Sequence, residues 1–522
     1  MKPVRGFLLI VFLLLFENSF GQKENNSVLE KKVTLQVTAE TIASILDKIS
    51  IQAKIFFSYD ASLIEADKKK DISVTDQSIR ETLDLLFESR FEYKVMGDQV
   101  IIAKPDDGQP KKKAEAGDGR PKIILFKGKV ADREEKDALP YSNIFVLRKN
   151  IGTVSNNDGE FILKVPESMS RDTIVVSCLG YRQQIFPISQ LADKDYSVAL
   201  EPNSVQLKEI RVTVVNPEEI VNRILAKIPI NYGRETEVMT SFYREVLKQD
   251  NKYIGVAEAL MEIRKASYDN VYTQDKVKVI RGRKSDNVRP FQFVDFKIQG
   301  GPYYITKLDV VKTLDSFLDP EFRDMYKYTM EGVIDVDNRA TYLLSFKPKE
   351  KSEDADYEGK LYVDMSSLAL VRAEFCLSKA GLKYAREALI RKKPKDFYVR
   401  PFDVEYKVSY RRSENKWHLS TARASIKFRV KSKQDRVNSV FHSESELLIT
   451  DFRPDDKNRF RRDELFRSDD IFTEVISSYN DGYWGDYNTI KPSEELRKSL
   501  ENYTMKSDSL FKNENANPIN KP

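Results

Sequence analysis

Apolar and polar positions alternate along most of this chain, and helical spacing is confined to a few short stretches. Val33, Leu35 and Val37 alternate as a strand, and Ile42, Ile45, Leu46 and Ile49 then recur at helical spacing within Thr41–Gln52. Ile55–Tyr59 and Ile72–Val74 read as further strands, Ser78–Arg90 as a second amphipathic helix, and Tyr93–Val95 with Gln99–Ile102 as a hairpin around Gly97-Asp98. Residues 33–104 are thus predicted to form a small α+β domain.

From Gly128 to Tyr181 the strands shorten and turn residues punctuate them. Asp158-Gly159 and Gly180 mark tight turns, because glycine accepts the positive φ such turns need. This predicts an antiparallel β-sandwich over 122–200. Asn216, Pro217, Glu218 and Glu219 read as the capped start of a helix running through Ile228. Clean alternation then returns. Tyr342, Leu344 and Phe346 share one face. Val404, Tyr406, Val408 and Tyr410 oppose Glu405, Lys407 and Arg411, and Ile426, Phe428 and Val430 oppose Lys427 and Arg429. About ten such strands over 217–500 predict a large antiparallel curved sheet or half-barrel with a few helices. The expected fold is mainly β with an α+β N-terminal domain.

The remaining segments are processing or polar stretches. Met1–Gly21 has a basic start (Lys2, Arg5), an apolar core over Phe7–Phe16 and small residues at its end, the pattern of a signal peptide. Residues 105–121 read as a linker, and 501–522 as a disordered tail. A net charge of +5 over 522 residues argues against nucleic acid as a partner. Cys178 and Cys376 fall in different domains and are expected as buried free thiols. Ala380–Lys395 reads as a basic helix with a narrow apolar stripe of Leu382, Ala385 and Leu389, and Arg459–Leu496 as helical pieces that pack aromatic side chains onto the sheet.

Three stretches carry family resemblances. Gly128–Val130, Pro140–Val146, Gly152–Leu163 and Val175–Tyr181 together resemble the carboxypeptidase-like regulatory domain, a non-catalytic sandwich found in front of TonB-dependent receptors of Bacteroidota. Residues 33–104 resemble the secretin and TonB N-terminal short (STN) domain, which implies an envelope protein partner contacted through that unit. The order Glu331–Asp335, Tyr342–Phe346, Gly359–Asp364 and Leu370–Glu374 resembles the LolA-type half-barrel of lipoprotein carriers, which implies an acyl chain held within 217–500. The helix after Asn216 stands where a receptor would have its plug, so transport does not carry over.

Chemical motifs are scarce. Only His418 and His442 are present, with no His-Glu-x-x-His, Gly-x-Ser-x-Gly, phosphate-binding glycine loop or Cys-x-x-Cys. No cofactor, metal or catalytic residue is assigned. Tyr342, Tyr406, Trp417, Phe428 and Trp484 are the candidates for a pocket or partner surface, with core packing as the alternative for each. The expected function is a non-enzymatic envelope adaptor, exported to the periplasm or the outer membrane. The alternatives are a periplasmic lipid or lipoprotein carrier and, below it, a small outer-membrane barrel or a glycan hydrolase.

Overall fold

The computed structural model describes residues 28–500, except 54, 59–63, 67, 97–98, 104–121, 204–215, 286–296, 299–300, 351–355, 386–388, 393–395, 435, 456–459 and 479–483. The expected signal peptide, linker and tail lie outside the described residues. The chain divides into two compact units, 1–118 and 119–522.

The first unit runs β1 (Lys32–Thr41), α1 (Ile42–Ala53), β2 (Phe56–Ser58), β3 (Lys69–Ser78), α2 (Ile79–Phe87), β4 (Glu92–Met96) and β5 (Gln99–Ala103). β1 pairs antiparallel with β3, and β5 lies between β2 and β4. Ser78 starts α2 through a capping box: its hydroxyl accepts from Glu81 N, and the Glu81 carboxylate accepts from Ser78 N at 2.9 Å. Ile42, Ile45, Leu46 and Ile49 of α1 and Leu83, Leu86 and Phe87 of α2 are buried in one core.

The second unit opens with the sandwich: β6 (Ile123–Asp132), β7 (Asn143–Val146), β8 (Gly152–Val154), β9 (Glu160–Pro166), β10 (Thr173–Ser177), β11 (Gln184–Pro187) and β12 (Asp195–Leu200). Its sheets order as β11-β10-β7-β8 and β12-β6-β9, and one pair, β12 with β6, is parallel. Gly159 sits at φ +76°, where a Cβ would lie 2.3 Å from Val130 O. Its turn is held by Asn156 Oδ1, which accepts from Asp158 N and Glu160 N. Gly180 also has positive φ, at +85°.

Helix α3 (Pro217–Asn231) follows, with Asn216 as its cap. Then come β13 (Glu237–Gln249), β14 (Lys252–Lys265), β15 (Lys276–Lys284), β16 (Lys297–Ile298), β17 (Tyr326–Val336), β18 (Arg339–Pro348), β19 (Tyr357–Asp364), β20 (Leu370–Leu377), β21 (Ile390–Lys392), β22 (Tyr398–Ser413), β23 (Lys416–Ser432), β24 (Val437–Pro454), β25 (Leu465–Phe466) and β26 (Ser477–Ser478). All but β16 and β21 join one twelve-stranded sheet, ordered β17-β18-β19-β20-β22-β23-β24-β13-β14-β15-β25, with β26 beside β15. The edges β17 and β25 do not pair, so the sheet stays open and the barrel alternative is set aside.

The inner face of this sheet is filled from above. Residues 301–325 supply Ile305, Val310, Val311, Phe317 and Leu318, and α3 supplies Ile220 and Ile224, to a cluster that includes Met239, Tyr243, Leu344, Leu361 and Val408. At its centre Asp309 is fully buried and accepts from Tyr268 Oη and Tyr410 Oη, each at 2.7 Å, with Lys265 Nζ at 2.5 Å. Asp275 completes the cluster 2.7 Å from the same amine. Burial pulls the Lys265 amine down, but Asp275 and Asp309 outweigh it and hold the group above its ordinary range.

The outer face carries a row of alternating charge. Arg283, Glu258, Arg244, Glu446 and Arg423 are successive register neighbours across β15, β14, β13, β24 and β23. Glu258 bridges Arg244 at 2.7 Å and Arg283 at 2.8 Å. The sandwich docks on this row: Tyr141 donates to Glu446 at 2.9 Å, and the Arg423 guanidinium stacks 3.4 Å from the Tyr141 ring. Residues 484–496 close the joint. Asn488 exchanges two hydrogen bonds with the Lys164 backbone, and Asp158 accepts from Glu494 N at 2.6 Å. The sandwich is therefore a fixed cover on the sheet.

Two expectations change in detail. The stretch 380–395 is helical at Gly381–Tyr384 but extended at Ile390–Lys392, which pairs with β16; Ala385 and Leu389 are buried as the stripe requires. Cys178 and Cys376 are free but half-buried rather than fully so.

Candidate functional site: a slot on the concave face

The inner face of the sheet holds two apolar clusters, not one. Beyond the large cluster, Leu377, Phe397, Val399, Val404, Ile426, Phe428 and Phe441 form a second. Between them runs a row of register neighbours across five strands: Glu245, Ser445, Ala424, Tyr406 and Phe375. Gly359 extends the row under Phe375, where a Cβ would meet Glu374 O at 2.2 Å. Ser445 and Ala424 are too small to fill the space in front of the sheet. The flanking rows are buried except at Leu247, while Glu245, Ser445, Ala424, Tyr406 and Tyr357 keep part of their surface accessible. The result is a slot whose floor is small and whose walls are aromatic.

One wall is Phe317, Phe375, Tyr357 and Tyr406. Phe375 lies 5.2 Å from Phe317, 5.3 Å from Tyr357 and 5.2 Å from Tyr406, ring centre to ring centre. The other wall is Tyr243, Glu245 and Leu247. Two carboxyls face this interior, and both are desolvated. Burial pushes Asp315 up to about 6, with no opposing cation. Burial also raises Glu245, against the Tyr243 hydroxyl that donates to it at 2.8 Å. The same two acids help to hold neighbouring phenols up: Asp315 acts on Tyr357 and Tyr406, and Glu245 on Tyr243, each after burial as the larger cause.

The five candidates from the sequence fall apart in space. Tyr406 is in the slot wall. Phe428 is stacked on Phe441 at 5.6 Å within the second cluster. Tyr342 is half-buried on the inner face of β18. Trp417 is buried beside Tyr232 near the end of α3, with Arg339 over its ring at 5.6 Å. Trp484 is on the outer face, edge-on to Phe242 at 5.5 Å and under Arg283 at 4.8 Å. Sequence reasoning missed Glu245, Asp315, Ser445 and Ala424. Glu245 had a readable signal, a lone acid on the apolar side of an alternating strand. Asp315, in a loop, had none.

Other chemistry is structural. Asp364, from the stretch with LolA resemblance, accepts from Arg339, Ser366 and Ser367 and fixes the β19–β20 turn; despite burial, these donors lower its carboxyl to about 2. His418 stacks on Phe452 at 3.9 Å and contacts Glu237 at 3.1 Å. Ser425 Oγ and His442 Nε2 are 2.8 Å apart, but Glu444 approaches the same ring nitrogen, at 3.8 Å, rather than the far one. A relay of the triad kind needs the carboxylate on the far nitrogen and free backbone N–H groups nearby, and here both strands use theirs in the ladder. Among the described residues no three His, Cys, Asp or Glu side chains gather as a metal site, and no helix is long and apolar enough to cross a membrane. On the outer face a cleft of about 30 Å³ lies between Tyr141, Arg244, Tyr253, Glu446 and Ser493, room for a water or two only.

Fold and site define the class: an open-sheet β protein with an interior slot, one face capped by a small sandwich. A family model for the CarboxypepD_reg-like domain matches residues 126–212, the sandwich and the segment after it. A search of curated proteins finds no match. Among solved structures, a putative outer membrane lipoprotein-sorting protein domain from Vibrio parahaemolyticus is 11% identical, covering 48% of this chain and 96% of its own, with a TM-score of 0.22. A DUF1329 family protein from Desulfovibrio piger is also 11% identical, covering 48% and 100%, with a TM-score of 0.24. A LolA superfamily protein from Nitrosomonas europaea is 10% identical, covering 46% and 94%, with a TM-score of 0.18. At these scores the three likenesses carry no argument about function.

Proposed function

We propose that this chain is a non-enzymatic envelope protein that binds an apolar, chain-like ligand, such as a lipid acyl chain, in the slot of its open sheet. The observation that supports the reading is the partly accessible row between the two inner clusters, where the small residues Ser445 and Ala424 lie in register with Tyr406, beside Tyr357 and Phe375. Asp315 and Glu245, both raised by burial, are the polar groups beside this row. The signal-peptide pattern of Met1–Gly21 supports an exported location, periplasmic or at the outer membrane. The helices of 33–104 bury most of their apolar residues in that unit's own core, with Ile51 and Leu85 left exposed, so an adaptor role through 33–104 stands as the second reading.

The test is native mass spectrometry of the chain purified gently from envelopes of its own host. A non-covalent added mass that organic extraction removes is expected. Ala424→Trp fills the slot and should abolish that mass while the protein stays folded. A clean apo mass in the parent protein, or an added mass unchanged by Ala424→Trp, sinks the reading.

A further inference from the structure

The outer face of β22 and β23 is not covered along its whole length. The sandwich meets it at Arg423. Six residues further along β23, about 20 Å at strand rise, the same face reaches Arg429 and then Lys431. Arg429 is directly opposite Arg400 in register, and Lys431 is opposite Tyr398. Arg400, Arg429 and Lys431 are all exposed, and none has an ion pair or side-chain hydrogen bond among the described residues. Like charges facing each other across a ladder destabilise a sheet. The nearest acid in register, Asp403, is held by Lys427 at 2.8 Å, and Glu405 bears on the same lysine. The cationic pair is therefore left uncompensated.

Two aromatic side chains stand among these cations. Tyr398 is 52% exposed and Phe402, at the bulge between Pro401 and Asp403, is 42% exposed. The inner face of the same strands is buried by Val399, Val404, Phe428 and Val430, so a partner on the exposed face would leave that core undisturbed.

We propose that the face formed by Tyr398, Arg400, Phe402, Arg429 and Lys431 docks on an anionic lipid surface. Charge complementarity selects this occupant: guanidinium groups pair with phosphate oxygens, while a phenol and a phenyl ring settle at the boundary of headgroup and acyl chain. A neutral surface would leave the Arg400–Arg429 repulsion in place, whereas lipid phosphates relieve it. The inference goes beyond ligand binding in the slot and does not depend on it.

The experiment is co-sedimentation of the whole chain with vesicles of phosphatidylcholine alone and of phosphatidylcholine mixed with phosphatidylglycerol, at low and raised salt. Binding only to the anionic vesicles, weakening as salt rises, is expected. Arg400→Gln with Arg429→Gln should weaken it by roughly 25-fold, at about fivefold per basic group lost near the surface. Lys149→Gln with Lys227→Gln, which removes two exposed charges elsewhere, should leave it nearly unchanged. Equal binding to both vesicle types, no binding to either, or equal loss in the two double variants overturns the proposal. Slot occupancy in the Arg400/Arg429 variant, read by native mass spectrometry, is expected to be normal, so the two readings fail separately.

Discussion

Asp309 is the buried charge on the segment that fills much of the inner face, and its replacement by asparagine is a direct test of that arrangement. The side chain is fully buried and belongs to the segment that inserts Val310, Val311, Phe317 and Leu318 against the sheet. It accepts from Tyr268, from Tyr410 and from the Lys265 amine. Asparagine keeps the shape and one acceptor, but it loses the charge and turns an N–H₂ towards one of these donors. The Lys265 amine keeps Asp275, so the loss is that of charge-assisted hydrogen bonds to Asp309, about 1.5–3 kcal/mol. At about 2.1 cal/mol/K per residue, the unit of residues 119–522 unfolds with an entropy near 0.8 kcal/mol/K, so the melting temperature should fall by about 2–4 °C. The assay is calorimetry or near-ultraviolet circular dichroism at neutral pH. Lys265→Met alone should also destabilise, because it leaves Asp275 and Asp309 buried without a cation. The double variant Asp309→Asn with Lys265→Met should lose much less than the sum of the two. A shift below about 1 °C, or strict additivity, would refute this role of the Asp309 cluster.

Two further predictions concern acids whose environments act in opposite directions. Asp315 has its folded pKa raised to about 6 by burial, so the cost of ionising it in place is absent below about pH 4, grows through pH 6 and is constant above. Asp315→Asn should therefore stabilise the chain by ~3 kcal/mol at pH 8 and have no effect near pH 4, read from urea midpoints at the two pH values; equal effects at both would remove this carboxyl from the argument. Asp364 is the reverse case, lowered to about 2 by Arg339, Ser366 and Ser367 against burial. It contributes stability above about pH 4 that is lost as pH falls towards 2, and Arg339→Ala should shift the acid-unfolding midpoint upward; an unmoved midpoint contradicts this.

Much of the fold was legible because alternation is a local property. Ile426, Phe428 and Val430 point inward whatever their neighbours are, and the pattern alone gives their face. Ile42, Ile45, Leu46 and Ile49 likewise define α1 by spacing. What alternation cannot supply is which strands are neighbours. The placement of β22 beside β20, and of β13 between β24 and β14, unites residues that are 200 positions apart. The slot is a consequence of that register: Ala424 and Ser445 are unremarked small residues until they lie side by side. Trp417 and Trp484 were attractive for their size, yet size is what sends a side chain into packing. The cover role of the sandwich was hidden for the same reason, since Tyr141 and Glu446 meet only in three dimensions.

The slot and the charged row are two sides of one structural element. Arg244 is followed by Glu245, Arg423 by Ala424, and Ser445 by Glu446, so each outer charge adjoins an inner slot residue on the same strand. Strands held together over an apolar face normally gain from cross-strand side-chain packing, and the small floor residues forgo that gain. The deficit falls where the outer face is most tightly tied, by Glu446 with Arg423, Arg244 and Tyr141 and by Glu258 with Arg244 and Arg283. Ion pairs shielded by the sandwich and by residues 484–496 are less screened than exposed ones, so they can hold the strand spacing behind the small floor residues. Under the proposed function, the sandwich would act on the ligand site without touching it, by sealing the row behind that floor.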